Sequence, residues 1–172
     1  MARSRLLLVL AVITGVATGA FGVGASAHAS QLAGAGLHCQ ATELRHNVYT
    51  EGCAAVGVYP DFSFIFGETE ATAYKILDGQ RVPTRKVLVR IATSDIYVNG
   101  QLADSRPCSC APATYVRDAT RNVQPGQLAT GNTAQAAMRY EVYAVRGAKQ
   151  VLLETHTVMS EVVATPDLVV SS

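Results

Sequence analysis

Apolar residues recur along much of this chain with a spacing of two. Val87, Val89 and Ile91 alternate with Leu88, Arg90 and Ala92, and Met138 to Val145 alternates most clearly in its first half. Gln150 to Val163 is rich in Val and Thr. Alternation of this kind places one row of side chains on each face of a β-strand. The punctuation between the runs is that of hairpins. Asp78-Gly79 separates Ile76-Leu77 from Val82, and Asn99-Gly100 separates Ile96-Tyr97-Val98 from Leu102. Both dipeptides readily take positive φ, as two-residue turns require. Arg146-Gly147 divides two further strand-like runs. Tyr59-Pro60-Asp61, Gln124-Pro125-Gly126 and Thr130-Gly131-Asn132 mark additional turns. Phe62, Phe64 and Phe66 fall on one face of a short strand, where core packing is expected.

One segment competes with the β reading. Thr69-Glu70-Ala71-Thr72-Ala73-Tyr74-Lys75-Ile76-Leu77 starts on a plausible cap, contains good helix formers and places Ala73 and Leu77 at helical spacing. The expected fold is mainly β, an antiparallel β-sandwich or small barrel, with a short helix near residues 69–77 as the alternative.

The N-terminus sits outside this pattern. Arg3 and Arg5 precede an uncharged run from Leu6 to Ala29 that closes on Ala25-Ser26-Ala27 and Ala27-His28-Ala29. A basic start, an apolar middle and a small-residue end compose a secretory signal peptide. The run is long enough to span a bilayer, for which about 20 apolar residues suffice, but its second half is mostly Gly, Ala, Thr and Ser. Cleavage is therefore expected, with no membrane association afterwards. The expected organisation is a signal peptide at 1–29, a flexible segment at 30–37 and one secreted β-rich domain at 38–172.

Composition narrows the function without naming it. Removing 29 residues leaves 12 Lys+Arg against 13 Asp+Glu, with both signs spread along the chain. No basic stripe of the kind phosphate neutralisation needs is visible, so nucleic acid is not an expected partner. Arg outnumbers Lys 11 to 3, as in GC-rich bacterial genomes.

Cys39, Cys53, Cys108 and Cys110 all follow the leader. An even number of cysteines in an oxidising compartment is most simply a disulfide set. An extended Cys108-Ser109-Cys110 would span about 6.6 Å, the upper edge of what a disulfide accepts, and Pro107 and Pro112 favour extension before them. Cross-pairing of Cys39 and Cys53 with Cys108 and Cys110 is favoured on these grounds, and local pairing is the alternative. The same cysteines with His38 and His46 could ligate a metal, yet the one-residue spacer departs from the usual chelating arrangement. No metal or other cofactor is assigned.

Motifs for a serine nucleophile, a zinc protease, a phosphate loop or a nucleotide fingerprint are absent from the sequence. Glu43 with His46, and Glu154 with His156, could pair as acid and base, but each reads first as an exposed polar pair. Among Glu43, Glu51, Glu68, Glu70, Glu141, Glu154 and Glu161, no spacing selects two for glycosidic chemistry. No catalytic residue is assigned. The expectation is a secreted, disulfide-stapled, non-catalytic β domain with a binding or structural role, whose partner is a protein or a cell-envelope component. The alternative is an inhibitor of an extracellular protease acting through residues 104–112. There Asp104, Ser105, Arg106 and Pro107 are the candidate partner-binding loop, pinned by cysteines and prolines.

Overall fold

The computed structural model describes residues 35–58, 65–123 and 132–164. The proposed leader, Phe62, Phe64 and the turns at 59–61 and 124–126 lie outside them. Ten strands follow one another: β1 (Ala35–Arg45), β2 (Val48–Val58), β3 (Ile65–Leu77), β4 (Gln80–Pro83), β5 (Val87–Val98), β6 (Gln101–Pro107), β7 (Tyr115–Val123), β8 (Thr133–Arg146), β9 (Lys149–Met159) and β10 (Val163–Ala164). They form two antiparallel five-stranded sheets packed face to face. In the first, β1, β2 and β3 run side by side, and the far edge of β3 is shared by β7 along Ile65–Thr72 and by β4 along Tyr74–Leu77. In the second, β6, β5 and β8 run side by side. The far edge of β8 is shared by β9 along Ala137–Arg146 and by β10 at Thr133 and Ala134.

The dipeptide turns form as the sequence implies. Asp78 and Gly79 have φ of 51° and 76°, and Asn99 and Gly100 have 51° and 75°. Positive φ at both positions matches the strand twist.

The core is the sandwich filling. Val87, Val89 and Ile91 face inward; a bulge at Ala92 then shifts the register, so that Ser94 and Ile96 face inward beyond it. Opposite them lie Ala54, Val56, Ala71 and Ala73, with Met138, Tyr140, Val142 and Val158 from the second sheet. Small residues on the first sheet let the second approach closely. A Cβ on Gly52 would come within 2.6 Å of Tyr140 Cε1 and 2.7 Å of Met138 Cε.

Three expectations are corrected. Residues 69–77 are strand, not helix, because they lie within the 13-residue β3, hydrogen-bonded on both sides. Tertiary pairing overrides helix propensity there. Ala35–Leu37, read as flexible, already belong to β1. The chain is held there by a hydrogen bond from Glu161 N–H to Gly36 O at 2.7 Å, at a contact so close that a Cβ on Gly36 would meet that Glu161 carbonyl at 2.9 Å.

The third correction concerns the disulfides, which are local: Cys39–Cys53 and Cys108–Cys110. The hairpin turn at His46-Asn47, with Asn47 at φ 60°, sets Cys39 directly opposite Cys53 on β1 and β2, with Cα atoms 4.1 Å apart. Cys108 and Cys110 lie beyond the end of β6, out of extended geometry, and their Cα atoms are 5.3 Å apart. In the chain-entropy picture, closing a loop of the Cys39–Cys53 size contributes about 3 kcal/mol.

Candidate binding site at the mouth of the sandwich

At one end the two sheets open into a mouth built by four segments far apart in sequence. Arg45 on β1 pairs in register with Val48 on β2, which pairs with Lys75 on β3. This row continues the inward-facing column that holds Ala71 and Ala73, so the core ends in charge. Ile76 N–H donates to Asn47 O at 2.8 Å and ties the β1–β2 turn to β3. After Pro83 the chain crosses from the first sheet to the second. Its turn is held by Lys86 N–H donating to the buried Thr84 hydroxyl at 3.3 Å. Val145 N–H then donates to Lys86 O at 2.9 Å and brings the end of β8 alongside. Arg146 and its register partner Lys149 flank the β8–β9 turn, where Gly147 has φ 62°.

Two adjoining cavities result. One, of about 550 Å³, is lined by Arg45, Val48, Lys75, Pro83, Thr84, Arg85 and Lys86. The other, of about 400 Å³, shares Arg45 and Lys86 and adds Leu44, Val87, Ala144, Val145, Arg146 and Leu153. Neither lining contains a carboxylate. Arg45, Lys75, Arg85, Lys86 and Arg146 form no ion pair among the described residues. Five cations are thus shared between two open, partly apolar cavities, and their mutual repulsion makes this end a place where negative charge would be favoured. With Lys149, this end gathers six of the 12 basic residues that follow the proposed leader.

The outward face of the first sheet arranges charge differently. Glu51 accepts from the Tyr74 hydroxyl at 3.2 Å and from Arg81 at 2.7 Å, while the Arg81 guanidinium lies 4.4 Å over the Tyr74 ring. Glu68 pairs with Arg117, and Glu70 accepts from Tyr115 at 3.2 Å. Burial, followed by the adjoining carboxylate, pushes the Tyr74 and Tyr115 hydroxyls up to about 12. Such phenols stay protonated at neutral pH and act as hydrogen-bond donors, so this cluster holds structure. Cys39, Glu51 and Cys53 bring potential metal ligands together, but both sulfurs are spent in the disulfide.

The sequence-derived candidates are dispersed. Asp104, Ser105, Arg106 and Pro107 are no loop: they form the end of edge strand β6, paired with Ile96, Asp95, Ser94 and Thr93. Ser105 donates to Asp95 at 2.5 Å, and Arg106 lies 3.5 Å from Asp104. The irregular stretch begins only at Cys108. Glu43 and His46 do not pair; the Glu43 carboxylate accepts from Asn47 N–H at 3.0 Å, and His46 Nε2 lies 3.0 Å from Asn47 Nδ2. Glu154 and His156 share a face, with Nε2 3.0 Å from the carboxylate but out of line for a hydrogen bond, and the ring packs against Tyr140 at 5.2 Å. The mouth was missed because its cations are separated by up to about a hundred residues, and only strand register unites them. One signal was available: four basic residues, Arg45, Lys75, Lys86 and Arg146, all lie close to hairpin or crossover turns.

No family model matches this chain, and no curated protein or solved structure resembles it closely enough to count as a match. The class that fold and site define is a disulfide-containing antiparallel β-sandwich with a basic mouth.

Proposed function

We propose that this chain is exported, loses residues 1–29 and works at or outside the cell envelope as a non-catalytic binding domain. Its basic mouth takes an anionic group of a protein or envelope component. The observation that carries this reading is the convergence of Arg45, Lys75, Arg85, Lys86 and Arg146 on two open cavities without a carboxylate. Two disulfides are compatible with an oxidising, extracytoplasmic address. The proposed leader supports the same address from the sequence side.

The test uses residues 30–172, oxidised, passed over polyglutamate and polyphosphate resins. Retention that salt releases is expected, because such attraction is screened over about 10 Å at 0.1 M ionic strength. A K75E/R85E double variant should run through. Equal retention of both proteins ends the mouth reading. The intact mass of native material tests export separately: a chain that still carries residues 1–29 ends that part.

Inhibition of an extracellular protease through residues 104–112 is the second reading. It is supported by Arg106, half exposed beside the ring closed by Cys108 and Cys110. Stoichiometric inhibition of a trypsin-like enzyme would favour it over the mouth.

A further inference from the structure

We infer that the free edge of β9 receives an extended peptide as an added antiparallel strand, whose acidic C-terminal end lies in the basic mouth. This rests on the mouth being a binding site and names the kind of partner it takes.

The two edges of the second sheet are built differently. β6 is short, carries Asp104 and Arg106, and ends at Pro107 against a disulfide ring. Charge, brevity and proline are the ordinary means of keeping another strand away from an edge. β9 has 11 residues, and among the described residues it pairs only with β8. Lys149 through Thr155 are exposed on both faces, and the run Gln150-Val151-Leu152-Leu153 is uncharged. Val151, Leu152 and Leu153 keep 39%, 52% and 44% of their surface in solvent. An edge of this length and apolarity offers unpaired N–H and C=O groups with greasy neighbours, which is how strand-adding sites recognise peptides.

The edge and the mouth are one surface. A bulge in β9 between Leu152 and Glu154 leaves Leu153 extra to the ladder. Leu153 then lines the 400 Å³ cavity together with Arg45, Lys86 and Arg146. β9 starts at Lys149, beside the mouth, and runs away from it. An antiparallel guest therefore approaches the mouth with its C-terminus. Acidic side chains or a terminal carboxylate there meet Arg45, Lys86 and Arg146, whereas a basic end would be repelled. Charge complementarity thus selects a peptide with apolar residues followed by acidic ones. A saccharide polymer could satisfy the cations but could neither continue the ladder nor use the leucines.

Selection of a displayed random-peptide library on the oxidised chain tests this. Enriched sequences are expected to carry an apolar stretch ending in Asp or Glu. The synthetic winner should slow hydrogen exchange of outward amides between Gln150 and Thr155. A proline within its apolar stretch should abolish binding by removing a ladder donor. Replacing its acidic end by lysines should weaken binding by about ten-fold or more. Leu152→Lys should weaken it too; if that variant misfolds, exchange on the unaltered chain decides. Enrichment of acidic peptides that tolerate proline and leave β9 exchange unchanged overturns strand addition but leaves the mouth intact. Loss of both peptide enrichment and polyglutamate retention overturns the two together. A dimer in sedimentation whose β9 amides are protected without peptide also overturns the inference, because a second copy then holds the edge.

Discussion

Four arginines on the sheet faces and five cations at the mouth carry the same charge under opposite conditions. Arg81, Arg90, Arg106 and Arg117 each meet a carboxylate: Glu51, Glu141, Asp104 and Glu68. Arg45, Lys75, Arg85, Lys86 and Arg146 meet none among the described residues. Pairing on a face satisfies carboxylates, Glu51 and Glu68 among them buried, that would otherwise be expensive. Withholding partners at the mouth leaves repulsion in place, which a bound anion would relieve. On the proposed function the first group serves stability and the second recognition, and the two groups should separate cleanly under mutation.

The largest stability effect is expected at Glu51. Its carboxylate is 10% exposed and serves both Arg81 and the nearly buried Tyr74 hydroxyl. Glu51→Ala leaves that hydroxyl without its acceptor and strips Arg81 of its charge partner. The expected loss is about 2–3 kcal/mol, read from urea unfolding. Glu51→Gln keeps an acceptor for Tyr74 and should lose less. Arg81→Ala should also lose less, because its side chain is 39% exposed and such pairs are largely screened. Equal losses for Glu51→Ala and Arg81→Ala would show that the ion pair, rather than the buried hydroxyl, dominates the face.

The sequence made the hairpins readable and hid the faces. Asp78-Gly79, Asn99-Gly100 and Gly147 act through local backbone preference, so a dipeptide is enough to find them. The alternation of Val87, Val89 and Ile91 survives because that strand has one clearly apolar side. β3 was harder because both of its faces are buried. Ala71 and Ala73 look inward onto the opposing sheet, while Glu68, Glu70, Thr72 and Tyr74 sit in the outward network. Alanines and glutamates in alternation imitate helix composition although the spacing is that of a strand. Cys39 and Cys53 lie equally far from His46, a symmetry that the hairpin explains and that the geometry of the Cys108–Cys110 segment did not suggest. The mouth is the extreme case, since no local rule joins Arg45 to Arg146.

A smaller effect should appear at alkaline pH, and it again separates face from mouth. Tyr74 and Tyr115 are shifted from 10.0 to about 12, each by burial first and a neighbouring glutamate second. The folded chain holds these protons more tightly than the unfolded chain does. Their contribution is therefore fully present below pH 10 and is lost as pH rises from 10 towards 12. The limiting slope is about 1.4 kcal/mol per pH unit for each hydroxyl. Tyr74→Phe should flatten this decline, whereas a Lys75→Glu variant should leave its shape unchanged. A decline of identical steepness in Tyr74→Phe would remove the face network from the explanation.

The smallest stability effect is expected at the mouth, and its smallness is informative. Lys75→Glu and Arg85→Glu change exposed side chains that have no ion-pair partner among the described residues. Surface substitutions of this kind move stability by no more than about 0.5 kcal/mol, and relief of repulsion from Arg45 and Lys86 favours the stabilising sign. Thermal unfolding of the double variant should therefore match or slightly exceed that of the unaltered chain, even as retention on polyglutamate is lost. A marked drop in stability would mean that these cations are bound to something within the folded chain, and the distinction between satisfied faces and an unsatisfied mouth would fail. No change in either property would leave the five charges as solvated surface, with recognition passing to another part of the molecule.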